Sequence, residues 1–171
     1  MRLFHPRSSQ AQQFRNFIFG VEDSLVSTVG VLSGVAFADV PRSIIFITGI
    51  VVIFVEAFSM GVGSYLSERS GAEFLLRKES SSIASIPAAF LMFAGYFFAG
   101  FVPLLPYMIL PVAAAFPVSI ASSILALFLL GVWSGSVSRT RIFRSGLRMA
   151  VLGGLAILIG MGVGAFMKAV V

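Results

Sequence analysis

Five long apolar stretches, at roughly 17–38, 43–66, 84–102, 108–133 and 146–167, alternate with short polar breaks along this chain. A bilayer-spanning helix needs about 20 mostly apolar residues. Each stretch therefore predicts one transmembrane span. The first is too long for a cleavable signal peptide, and it carries Glu22 and Asp23. Asp39-Val40-Pro41-Arg42 predicts a tight polar turn, and residues 67–82 predict the longest polar loop. Pro103, Pro106 and Pro111 are expected to bracket the turn between spans three and four. Pro117, inside span four, is expected to kink it. Arg139, Arg141, Arg144 and Arg148 fall in the last connection.

Composition removes the soluble alternatives. Of 171 residues, 58% are hydrophobic and 11% charged, with a mean hydropathy of +1.01. A soluble domain carries about 25% charge. An ordinary soluble enzyme, a disordered protein and a nucleic-acid binder are all excluded. The expected fold class is an all-α integral membrane protein, a single five-helix transmembrane domain over 1–171. Cysteine is absent, which removes disulfides, thiolate metal sites and cysteine nucleophiles.

The basic residues set an orientation. Arg2, Arg7, Arg15, Arg69, Arg77, Lys78 and the four arginines of the last connection fall on one side of the five spans. Only Arg42 and Lys168 fall on the other. The positive-inside rule then puts the N-terminus in the cytoplasm and the C-terminus outside. Tyr107 and Trp133 are candidate interface anchors. No internal repeat is visible, and five spans do not divide into two equal inverted halves. One five-helix subunit is thin for a transport path. A homodimer would supply ten helices and a central seam.

The informative residues are the polar ones inside the spans. Glu22 and Asp23 lie within span one, and Glu56 lies near the middle of span two. A central Asp costs about 2.5–3.5 kcal/mol on insertion scales. An intramembrane carboxylate therefore points to function. The other reading is a protonated residue that hydrogen-bonds between helices. Glu22 lies on the same helix face as Arg15 and can simply pair with it. Asp23, Ser27, Gly30 and Gly34 share one face, and Gly30-x-x-x-Gly34 allows a backbone to approach closely. Plain helix packing accounts for those glycines. Glu56, Met60 and Ser64 recur every four residues, flanked by Ser59, Gly61 and Gly63. A hard carboxylate one turn from a soft thioether suits a borderline transition metal such as Fe²⁺ better than Mg²⁺ or Ca²⁺. The only histidine, His5, lies in the N-terminal tail. No HExxH, GxSxG, Walker A or dinucleotide fingerprint occurs, so enzyme readings are weak.

These motifs resemble a known family. Phe19-Gly20-Val21-Glu22-Asp23-Ser24-Leu25-Val26-Ser27-Thr28 is similar to the first-helix signature of the vacuolar iron transporter family, followed by Gly30 and Gly34. Glu56-Ala57-Phe58-Ser59-Met60-Gly61-Val62-Gly63-Ser64-Tyr65-Leu66-Ser67 resembles that family's second-span block. Pro103-Leu104-Leu105-Pro106, and Gly131 through Arg148-Met149 to Gly153-Gly154, fit as well. The resemblance implies a five-helix subunit, a homodimer and a central path lined by helices one and two. Asp23 and Met60 would line that path, with Glu56 as an acidic partner. Additional path candidates are Glu22, Ser27, Ser59 and Ser64, and Gly30, Gly34, Gly61 and Gly63 would serve helix packing. The chain departs from the family pattern in three places. Ser64 stands for an acidic residue, Ser24 stands for a glycine, and the long glutamate-rich insert between spans two and three is missing.

The expected activity is export of Fe²⁺, with Mn²⁺ as an alternative, from the cytoplasm in exchange for protons. The metal is cargo, and no permanently bound cofactor is expected. In a prokaryote the expected location is the plasma membrane. Two rival classes stand beside this reading. One is a structural or regulatory membrane subunit with carboxylates as interhelical glue. The other is a membrane-embedded lipid enzyme, for which 67–82 is a poor catalytic loop. Mn²⁺, Co²⁺ and Ni²⁺ carriers would use the same ligands.

Overall fold

A computed structural model describes residues 6–76 and 85–170. Those residues are almost entirely helical, with no strand among them. Helix α1 is Pro6–Phe37 and α2 is Arg42–Leu76. Helix α3 is Ile86–Ala99, α4 Phe101–Ile109, α5 Val112–Val137 and α6 Ile142–Val170. Five helical stretches are long and apolar enough to span a membrane, and α3 and α4 together form one of them, Ile86–Ile109. The chain is a multi-pass membrane protein.

Several helix ends differ from the sequence expectation. Helix α2 runs on through 67–76, which had been expected to be loop. Outside the hydrocarbon core a helix needs no apolar residues, only satisfied backbone bonds. An i,i+4 pair there, Arg69 Nε to Glu73 Oε1 at 2.8 Å, suits a solvated helix face. Arg77, Lys78 and Glu79 lie outside the described residues. Arg144 and Arg148 are part of α6 rather than of a connection, so the turn is confined to 138–141. Arg15 lies within α1, which begins ahead of the expected span.

The prolines also behave differently from the expectation. Pro103 and Pro106 are helical, and the chain turns only at Leu110-Pro111. Pro103 has no N–H to offer the Ala99 carbonyl, so the helix is interrupted at Gly100. Gly100 keeps near-helical dihedrals (φ −62°, ψ −22°), and the span continues. The expected start of span four at 108 thus belongs to α4, and α5 begins at Val112. Helix α5 continues through Pro117, whose missing N–H leaves the Ala113 carbonyl without its intrahelical donor. Ser119 Oγ donates to the Pro103 carbonyl at 2.7 Å, joining α5 to α4.

Helix α1 is the centre of the bundle. It packs against every other helix, and its apolar face buries Ile18, Leu25, Val29 and Leu32. Its closest neighbour is α6. A Cβ on Gly34 would stand 2.6 Å from the Gly160 carbonyl oxygen, and a Cβ on Gly30 3.3 Å from that of Ala156. Gly160 and Gly164 meet the Gly30 and Gly34 carbonyls in return. Gly30 and Gly34 therefore serve helix packing, against a matching Gly160-x-x-x-Gly164 on α6. On another side Gly20 and Gly95 bring α1 against α3, where a Gly20 Cβ would meet the Met92 carbonyl at 2.6 Å.

The two ends of the bundle are marked by polar contacts. At one end Arg42 Nε donates to the Tyr107 carbonyl at 2.6 Å and Arg42 Nη2 donates to the Met108 carbonyl. Lys168 and Asp39 pair there at 3.3 Å. At the other end Asn16 of α1 reaches α2, and Phe14 and Phe17 contact Trp133 of α5. Tyr107 is fully buried and is not an interface anchor, because its ring fills the space between α2 and α5. Trp133 remains half-exposed at the end where the arginines gather.

Candidate functional site

Asp23 and Glu56 come from the neighbouring helices α1 and α2. Asp23 is half-buried on α1, and Glu56 lies on the exposed side of α2. The charge of Glu56 reaches Asp23. Both also act on the Tyr96 hydroxyl of α3. Tyr96 is fully buried, and two serines of α1 fix it. Ser24 Oγ donates to its carbonyl at 2.6 Å, and Ser27 Oγ shares a hydrogen bond with its hydroxyl at 2.7 Å. The serine for glycine at 24 is thus used as an anchor for α3. Ser27 is held by Tyr96 and also borders a groove of about 610 Å³ beside Gly30 and Gly34.

One turn from Glu56, Met60 is half-buried and faces a second groove of about 570 Å³ between α1 and α2. Ser59, Gly63 and Ser64 line it too, as do Arg15, Asn16, Ser67, Glu68 and Met92. Gly61 packs on α3, where its Cβ would stand 3.1 Å from that of Phe93. Gly63, expected to serve packing, meets nothing within 4 Å. The missing side chain widens the groove instead.

Within this groove Asn16 Nδ2 donates to Ser64 Oγ at 2.9 Å and to Glu68 Oε1 at 2.8 Å. Asn16 and Ser64 are both buried. Sequence reasoning passed over Asn16 and left Glu68 in a loop. Two signals were present. Asn16 precedes Asp23 by two turns on the same face, and Glu68 continues the four-residue ladder of Glu56, Met60 and Ser64.

Glu22 stands apart from this set. It lies in a recess with Arg15, Phe14 and Ser134, and its nearest charged influences are Asp23 and Arg148 of α6. No ion pair of Glu22 with Arg15 forms among the described residues. Nor, among them, do three or more acidic or histidine side chains of one chain converge on a metal position.

Helices α1 and α2 thus carry carboxylate, hydroxyl and thioether side chains within a five-span membrane bundle. The VIT family model matches residues 14–86 and 72–165, nearly the whole chain. The chain belongs to the VIT family. It is 25% identical to "Vacuolar iron transporter 1" of Eucalyptus grandis over 83% of this chain and 81% of that protein. It is 27% identical to "Vacuolar iron transporter 2" of Oryza sativa subsp. japonica, over 83% and 82%. It is 30% identical to "Vacuolar iron transporter homolog 1" of the same species, over 91% and 74%. These relatives are named as transporters, and the family is not enzymatic. The first two alignments run over 202 positions, more than the 171 residues here, so those relatives carry segments with no counterpart in this chain. The two family matches meet within 72–86, at the connection of α2 to α3.

Proposed function

We propose that this protein carries divalent iron, and manganese as an alternative cargo, out of the cytoplasm in exchange for protons. The path runs along α1 and α2 at the seam of a homodimer. The observation that carries this reading is the pair Asp23 and Glu56. They are two intramembrane carboxylates on neighbouring helices, and Glu56 is left uncovered by its own chain. A carboxylate turned towards lipid is costly. A second copy seated on this face would remove that cost and double the ligand set. Family membership and the names of the relatives support metal-ion transport.

The chemistry follows from the donor set. A partly dehydrated Fe²⁺ is held by carboxylate oxygens of Asp23 and Glu56 from both copies, with Met60 sulfur as a softer ligand. When the metal leaves, carboxylates this close cannot all stay ionised. They take up protons, and metal and proton movements become linked without a histidine. With the arginine-rich end inside, the metal enters at the Asn16–Glu68 end and leaves near Asp39 and Lys168. In a prokaryotic cell this places the protein in the plasma membrane.

The test is metal flux in liposomes. The purified protein is reconstituted, a proton gradient is imposed, and Fe²⁺ uptake is followed with a trapped quenchable dye. Flux is expected in the wild type, with a fall of at least tenfold in Asp23→Asn and Glu56→Gln. Absence of flux for Fe²⁺ and Mn²⁺ from well-folded protein overturns the proposal and leaves the carboxylates as interhelical glue.

A further inference from the structure

Arg139, Arg141 and Arg144, at the turn from α5 to α6, are exposed. None of them makes an ion pair or a side-chain hydrogen bond among the described residues. We propose that they form a docking site for the phosphate group of an anionic phospholipid, in the leaflet at the arginine-rich end of the bundle. The site needs neither the cargo nor the dimer of the transport reading.

The sequence leaves this charge unopposed. The last acidic residue of the chain is Glu79, so α5, the turn and α6 contain none. Glu22 of α1 feels the charge of Arg148, not of these three. Glu68 and Glu73 lie on α2 and are engaged with Asn16 and Arg69.

The charges are also held in place. A Cβ on Gly131 would stand 2.6 Å from the Ser145 carbonyl oxygen, and one on Gly135 3.1 Å from the Ile142 Cα. The ends of α5 and α6 are therefore in backbone contact. The turn closes through its own main chain: Thr140 N–H donates to the Gly135 carbonyl at 2.9 Å, and Arg139 N–H to that of Ser136 at 3.2 Å. This cap puts Arg139 in the left-handed region, φ 52°, where glycine is the usual residue. A long side chain there carries a conformational cost and adds nothing to the cap. The guanidinium groups thus project from a rigid hairpin.

The surface beside them selects the ligand. Phe143 is 70% exposed, with its ring edge-on to Phe128 at 5.7 Å, and Ile142 and Leu147 are exposed next to it. Arginine heads above exposed apolar side chains match a phospholipid, in which an anionic headgroup sits above acyl chains. A guanidinium binds phosphate through two parallel N–H groups, which an ammonium cannot do. A soluble acidic peptide would engage the arginines and leave Phe143 and Leu147 without a role. The positive-inside rule accounts for the side on which the arginines lie. It does not account for their fixed, unpaired geometry or for the aromatic flank.

The chain carries its own reporter. Trp133 is the only tryptophan, is half-exposed, and lies less than two turns before Arg139. The full-length protein is placed in phosphatidylcholine nanodiscs with rising fractions of brominated phosphatidylglycerol or, in parallel, brominated phosphatidylcholine. Quenching of Trp133 fluorescence reads which lipid sits beside it. In the wild type, half-maximal quenching is expected at an about fivefold lower fraction of phosphatidylglycerol, the scale of one arginine's attraction to an anionic surface. In Arg141→Gln/Arg144→Gln the two lipids are expected to quench alike. Arg141→Lys/Arg144→Lys, which keeps the charge and loses the planar fork, is expected to fall between the two. Arg69→Gln, on α2, is expected to keep the wild-type ratio. An unchanged Trp133 emission spectrum in plain phosphatidylcholine checks the fold of each variant. Equal quenching by the two lipids in the wild type, or a preference that survives Arg141→Gln/Arg144→Gln, overturns the site. An equal loss in Arg69→Gln assigns the preference to diffuse charge and overturns it too. Reversal by inorganic phosphate at constant ionic strength assigns a soluble anion and overturns the lipid as occupant.

Discussion

Gly34 of α1 and Gly160 of α6 are in backbone contact: a Cβ on Gly34 would stand 2.6 Å from the Gly160 carbonyl oxygen. Gly160 in turn abuts the Gly30 carbonyl, so each helix seats its glycines against the other's main chain. No flexible side chain is present to yield. In lipid, helices associate through this kind of close packing rather than through the hydrophobic effect.

A side chain at this contact must therefore separate α1 from α6. Gly160→Val is expected to destabilise the protein by about 1–3 kcal/mol or more, as overpacking does. Gly63→Ala, where nothing lies within 4 Å, is expected to leave stability unchanged. Thermal unfolding in detergent, followed by intrinsic fluorescence, compares the two. Equal melting temperatures for Gly160→Val and the wild type would refute the contact.

The Ser27–Tyr96 hydrogen bond, 2.7 Å long, is the second testable joint. Tyr96 is fully buried, so its hydroxyl depends on α1 for its hydrogen bond. Ser27→Ala and Tyr96→Phe are each expected to cost about 1 kcal/mol. The double variant is expected to cost less than the sum of the two. A double-mutant cycle by chemical unfolding reads the coupling directly. Strict additivity would show that the two hydroxyls do not act on one another.

The span count and the carboxylates were legible because apolar runs and intramembrane charges are local properties of the chain. The ends of the helices were not. The segment Ser67-Glu68-Arg69-Ser70-Gly71 reads as loop by composition, yet it is helix. Polarity marks where a helix leaves the membrane, not where it stops. Pro103 and Pro106 read as a turn, but each costs only a backbone donor and both keep a helical φ. The face shared by Asp23, Ser27, Gly30 and Gly34 follows from helical spacing. Which helix meets it is a matter of tertiary register, so neither Gly160 nor Tyr96 could be named in advance. Asn16 was missed because one buried asparagine has no pattern of its own. Only its bonds to Ser64 and Glu68 give it meaning.

Met60 sets metal preference in the proposed path. Its sulfur is the soft ligand beside oxygen donors, and softness matters more to Co²⁺ and Fe²⁺ than to Mn²⁺. Met60→Leu keeps volume and apolarity while removing the sulfur. The expected outcome is a severalfold fall in Co²⁺ and Fe²⁺ flux relative to Mn²⁺ flux, with the fold unchanged. Parallel flux assays with the three metals measure the ratio. An equal fall for all three would assign Met60 to packing alone.

The proposed dimer seam makes a prediction that needs no transport assay. The chain contains no cysteine, so a single introduced thiol reports only on its own position. Ser59 lies on the exposed side of α2, in the groove next to Glu56 and Met60. A two-fold axis passing beside Ser59 on this face would bring the two Ser59 positions close together. Phe166 of α6 is 66% exposed but lies on a different helix near the opposite end of the bundle. In native membranes a short bifunctional thiol reagent is expected to link Ser59→Cys into a band of twice the monomer mass. The same reagent is expected to leave Phe166→Cys monomeric. Efficient linking at Phe166 and none at Ser59 would move the seam to α6. Glu56 would then face lipid, and the path would have to be sought within one chain.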